Sequence, residues 1–182
     1  MSQALERLRE VLRAQGGLIA NLLADAPPPA EDAHGEGGGP SPASIAASGP
    51  RAEGKRGEYE LLVEAIYEGY LLHYGASRVV RVPEADLRLL VGDRLYAIGL
   101  ARLVELGDTH AVAELADTIT LSALAHGAGR TALAEAVWAA GARAVGWGCS
   151  ESHRRAKALV LAGAPEAIEA MRTSATAAIA PR

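Results

Sequence analysis

From Glu58 onward, apolar residues recur three and four positions apart. Only the short run Val79-Val80-Arg81-Val82 has a β-like character. A period near 3.6 buries one side of a helix, whereas a half-buried strand needs a period of two. The pattern therefore dictates an all-α fold, a helical bundle. The spacing predicts helices over 58–74, 83–106, 109–126, 131–147, 151–162 and 165–172. Gly75 and Gly107 close the first two. Pro83 suits the opening turn of the second, Asp108 caps the third, and Pro165 opens the last. Residues 173–182 read as a frayed tail.

Ahead of this domain, Leu5, Leu8, Leu12, Ile19 and Leu22 form an apolar stripe on an amphipathic helix within residues 1–25, weakened by Gly16-Gly17. So short a helix needs a surface to dock on. That surface is either its own domain or a partner, including a second copy. Residues 26–57 are rich in Pro, Gly, Ser and Ala, leave little to bury, and read as a disordered linker. The expected division is thus 1–25, 26–57, a helical domain over 58–172, and the tail.

Hydrophobic residues make up 49% of the 182, but aromatics only 4%, so Ala and Leu fill most of the interior and helices must approach closely. The formal charge of −4 gives no electrostatic reason to bind nucleic acid. Acidic and basic residues interrupt every apolar stretch before it reaches membrane-spanning length, so no transmembrane span is expected. A single cysteine, Cys149, rules out an internal disulfide and a multi-cysteine zinc site. With no signal-like start, the chain fits a reducing cytoplasm.

Polar residues on apolar faces are the candidates for function. In the 83–106 helix, Glu84, Arg88, Arg94, Arg102 and Glu105 gather on one side, which is the expected solvated face. Asp86 and Asp93, one heptad apart, fall opposite, with Leu89, Leu100 and Val104. His73 lies on the inner face of the 58–74 helix and His126 on the apolar stripe of the 109–126 helix. Asp86, Asp93, His73 and His126 are therefore a candidate buried polar cluster; satisfaction by an Arg, a Tyr hydroxyl or backbone N–H groups is the structural alternative. Glu60, Glu64 and Glu68 read as an acidic outer stripe, and Glu114 and Asp117 as a solvated pair. Cys149 reads as a small packing residue near a helix start that Ser150 or Ser152 caps. No catalytic residue, metal ligand or cofactor is assigned.

Two segments carry a resemblance. Leu89-Leu90-Val91-Gly92-Asp93-Arg94-Leu95-Tyr96, followed by Leu106-Gly107-Asp108, is similar to the VLxGDxLxxxA helix of the trans-polyprenyl diphosphate synthases. Arg130-Thr131-Ala132-Leu133, with Glu135-Ala136, Gly141-Ala142 and Gly146, is similar to that family's KTAxLxxxAxxxGAxxAG segment. Together they cover roughly residues 58–162 and imply part of the isoprenoid synthase fold. Both aspartate-rich motifs of the family are missing. Glu68–Gly75 stands where the first belongs, and Ala164–Glu169 where the second does. An allylic diphosphate ionises only when metal ions neutralise its leaving group, and those motifs hold the metals.

The resemblance implies a non-catalytic accessory or regulatory subunit, or an interaction module, partnered with a catalytic prenyl synthase chain or with itself. A second reading is an isoprenoid-binding protein, with Gly92, Ala97 and Gly99 leaving room between helices; the same residues equally permit tight packing. A third is an enzyme of unrecognised chemistry built on the Asp/His cluster. Arg130 and Thr131, where the family's Lys-Thr pair contacts diphosphate, are candidate phosphate ligands, or else an exposed arginine and a helix cap.

Overall fold

The structure, a computed structural model, describes residues 2–23 and 39–176. Among them lie nine α-helices and a single-turn 3-10 helix, Pro50–Ala52. The helices are α1 (Gln3–Gln15), α2 (Gly17–Asn21), α3 (Pro42–Ser48), α4 (Arg56–Tyr74), α5 (Ala85–Glu105), α6 (Thr109–Gly127), α7 (Thr131–Trp147), α8 (Glu151–Leu161) and α9 (Ala167–Thr176). The all-α expectation holds: α7 matches at both ends, and no expected element end is off by more than four residues. The β-like run contributes one isolated bridge, Val80 to Leu23. No helix among the described residues is long and apolar enough to cross a membrane.

Two helices are hubs. α4 packs against α1, α3 and α5; α7 packs against α3, α6 and α9. Leu5, Leu8 and Leu12 of α1 join Leu61, Leu72, Leu95 and Ile98 in one core. The amphipathic stripe thus docks on its own domain, as the first alternative had it. Gly16 and Gly17 both have positive φ, which only glycine adopts cheaply, and they split the expected single helix in two.

The linker reading fails for residues 42–52. Ser41 caps α3 by accepting from the Ser44 N–H at 3.1 Å, with Pro42 in the first turn. Ala43, Ala46, Ala47 and Ala52 are buried in the core shared with α4 and α7. The segment looked empty because, Ile45 apart, its apolar residues are small. Small residues are what this contact needs, since a Cβ on Gly146 of α7 would lie 2.5 Å from the Ala46 carbonyl oxygen. Residues 26–38 of the expected linker and 177–182 of the expected tail lie outside the described residues; 173–176 belong to α9.

The face of α5 is also corrected. Its buried side is Val91, Gly92, Leu95, Ile98, Gly99 and Leu103, while Asp86, Asp93, Leu89, Leu90 and Val104 are exposed. Apolar residues surround this helix on nearly every side, so periodicity alone placed the core on the wrong face. The glycines mark the true contact. A Cβ on Gly99 would sit 2.4 Å from Ile66 Cγ1, and one on Gly92 2.4 Å from His73 Cδ2. At both positions, close approach of α4 fills the space between the helices.

Candidate functional site

The expected acidic outer stripe of α4 is half buried. Glu64 and Glu68 are 1% and 0% exposed, and both are held by Arg78 from the 75–84 connection. Arg78 Nε donates to Glu68 at 2.6 Å, its NH2 group donates to Glu64, and its backbone N–H reaches Glu68 at 3.0 Å. The Ser77 hydroxyl adds a fourth bond at 2.7 Å, and the guanidinium lies over the Tyr67 ring. Burial pushes the Glu64 carboxyl up, with Arg78 opposing. Both buried carboxylates are held by Arg78, so this is a structural lock.

A larger open space lies elsewhere. A cleft of about 640 Å³ opens where the 3-10 turn, α6 and the α7–α8 connection meet. Arg51 comes from the turn, and His110 and Glu114 from α6. Trp147 ends α7, Cys149 and Ser150 belong to the connection, and Arg154 and Lys157 project from α8. Ser150 caps α8 by accepting from the His153 N–H at 3.1 Å, which confirms one of the two expected caps. Asp108 caps α6 and also receives Arg51 at 2.9 Å and the Tyr59 hydroxyl, so one carboxylate ties the turn, α4 and α6 together. Burial first, then Asp108, pushes Tyr59 up to about 12.

Glu114 is 6% exposed, not solvated as expected. Lys157 Nζ donates to both its oxygens, at 3.1 and 3.2 Å, and to Asp117 at 2.7 Å. His153 Nε2 lies 3.4 Å from the same carboxylate. Burial alone would raise the Glu114 carboxyl; hydrogen bonds from His153 and Lys157 outweigh it and hold it at about 2. On its far side, His153 Nδ1 meets the Ser174 hydroxyl at 3.2 Å. Ser174, His153 and Glu114 thus form a buried serine–histidine–carboxylate chain that the sequence reading missed, because its members lie on three helices. It lacks the setting of a nucleophile. Ser174 donates to the Met171 carbonyl, and the adjoining void is about 10 Å³, room for about one water. Burial and then Glu114 push the Cys149 thiol up, which keeps it a protonated, packing thiol.

The expected polar cluster is only partly assembled. His73 Nε2 lies 3.2 Å from Asp93 Oδ1 without hydrogen-bond geometry, and its ring stacks on Tyr96. The His126 ring lies flat on Tyr74 at 4.2 Å and shares a 2.8 Å hydrogen bond with the Tyr70 hydroxyl. Both histidines touch Tyr74. Asp93, however, is 67% exposed and Asp86 is on the surface, because α5 presents its other face to the core. The group is an aromatic rim, not a buried acid cluster. Among the described residues, no three His, Cys, Asp or Glu side chains gather as a metal site requires. Arg130 is also engaged: its guanidinium donates to the Ala164 carbonyl at 3.2 Å and reaches Pro165, closing the α8–α9 turn. Thr131 beside it is exposed at the start of α7.

Fold and cleft together define an all-α bundle with an open polar cleft and, in α5, a helix that exposes several apolar residues. Compared with known proteins, the chain matches no family model, no curated protein and no solved structure.

Proposed function

We propose that this chain is a helical interaction module, an accessory subunit whose partner lays a helix along the outer face of α5. The observation that carries this is the row Leu90, Ala97, Ala101 and Val104. All four are exposed, Leu90 at 65% and Val104 at 58%. Positions 90, 97 and 104 are one heptad apart and 101 lies between 97 and 104, so the four share one stripe about four turns long, with exposed Arg94 between Leu90 and Ala97. That spacing matches the ridges of a second helix, and its alanines allow close approach. Exposed apolar rows of this kind mark contact surfaces. The resemblance around Asp93 makes a catalytic polyprenyl synthase subunit the first partner to test. Gly92 and Gly99, which would have lined an isoprenoid channel, are occupied by His73 and Ile66 of α4 and lend that reading no support.

The test is co-expression with the polyprenyl synthases of the source organism, read by light scattering after size exclusion. The expected result is a complex that the double variant Leu90→Glu/Val104→Glu dissociates while its helical signal persists. A complex unaffected by that variant, or no complex at all, overturns the proposal. So does chain elongation by the isolated protein given magnesium, an allylic diphosphate and isopentenyl diphosphate.

A further inference from the structure

We infer that the outer face of α5 pairs with a second copy of this chain, antiparallel across Ala97. This rests on reading that face as a contact surface, and it names the occupant the face fits when the chain is alone. Apolar area suits many partners; charge and symmetry select this one. Arg94 and Glu105 are both exposed and lie within about 20° of each other on one edge of the Leu90–Val104 row. Neither has a hydrogen-bond or ion-pair partner among the described residues. In one copy they cannot meet, because they stand about 16 Å apart along the helix.

A two-fold axis beside Ala97 brings residues equally far on either side of it face to face, the self-complementary contact of a symmetric dimer. Leu90 then meets Val104 of the partner subunit, and Ala97 meets its own copy. Alanines occupy the point where the backbones come nearest, and the bulkier Leu90 and Val104 fill the gap that widens toward either end. Arg94 falls on the same flank as Glu105 of the partner subunit, offset by about 7 to 8 Å along the axis. Helical side chains lean toward their own N-terminus, so in antiparallel helices these two lean toward each other. Ala101 of the partner subunit leaves room for the arginine stem to lie flat between them. Symmetry makes the ion pair twice, and the antiparallel sense sets opposite helix dipoles side by side. A parallel copy would leave Glu105 unpaired and draw Arg94 to Asp93 of the partner subunit, a carboxylate that already lies 3.2 Å from His73 Nε2.

One pair of helices about four turns long is a small interface of the weak, transient kind. Sedimentation equilibrium of the full chain should therefore give the mass of one chain at about 1 µM and a rise toward two at about 100 µM. Arg94→Glu and Glu105→Arg, each alone, should weaken this self-association at least about ten-fold, because each sets like charges opposite one another twice. Mixed in equal amounts, the two variants should pair with each other about as tightly as the wild-type chain pairs with itself, since only the mixture restores both opposite-charge contacts. Circular dichroism should show unchanged helical content in both, as neither side chain is in the core. A monomer at every concentration overturns the inference. So does a dimer that neither charge variant weakens, or a mixture that associates no better than its components. A monomeric chain that still forms a synthase complex sensitive to Leu90→Glu/Val104→Glu removes this inference alone; a dimer without any synthase complex removes the catalytic partner alone.

Discussion

Arg78 and Lys157 each face two carboxylates one helical turn apart. Arg78 meets Glu64 and Glu68 of α4, and Lys157 meets Glu114 and Asp117 of α6. In composition the two sites nearly match; in behaviour they diverge. The carboxylates of the first are 2% and 0% exposed at their side chains, those of the second 7% and 55%. Burial wins at Glu64 and raises its carboxyl, whereas hydrogen bonds win at Glu114 and hold it at about 2. The same charges thus make a closed lock in one place and the wall of an open cleft in the other. What separates them is water: a sealed pair depends wholly on its partner, while a cleft-side pair can be solvated in part.

The largest expected effect comes from breaking the lock. Arg78→Met strands two buried carboxylates, and removing one partner of a buried pair costs about 3–5 kcal/mol. Urea denaturation at neutral pH measures it, and a loss below 1 kcal/mol, judged against that scale, would show that water reaches the site. Lys157→Met should cost less, on the order of 1–3 kcal/mol, because Asp117 is exposed and Glu114 keeps His153.

The two carboxyls shift in opposite directions, yet the deficits of both variants should shrink in acid, for different reasons. The depressed Glu114 carboxyl contributes stability that is full above its usual value near 4.5 and fades as pH falls toward about 2. The destabilisation caused by Glu114→Gln should therefore shrink over that window. At Glu64 the shift itself is opposite. Its carboxyl is raised, so protonation relieves burial, and the deficit of Arg78→Met should narrow as pH falls through the acid range. Denaturation midpoints across the acid range, compared with wild type, check both slopes. Smallest of all is the outer face of α5: Leu90→Glu/Val104→Glu should change stability by no more than about 0.5 kcal/mol per site, since neither side chain is in the core.

Much of the fold was legible. Caps and breakers act over three or four residues, and Asp108, Ser150, Gly75 and Gly107 stand at or beside the ends they were expected to mark. α3 was legible too, had the Ser41-Pro42 start been weighed above its Gly/Pro-rich surroundings. The site was much less so. Arg78 sits ten residues beyond Glu68, and Lys157 forty-three beyond Glu114, with nothing local to couple them.

By itself, the sequence determined which segments coil into helices and where they stop, because hydrogen bonding and capping are settled within a turn or two. It also determined that glycine and alanine would fill the helix contacts. Only the tertiary structure decided which way each helix turns. α4 and α5 are apolar on most sides, so their burial faces follow from the close approach at Gly92 and Gly99, not from periodicity. That single rotation put Asp86, Asp93 and the Leu90–Val104 row in solvent, while the packing around α4 sealed Glu64 and Glu68 beneath Arg78. Long-range packing sets such rotations, and no local signal encodes them.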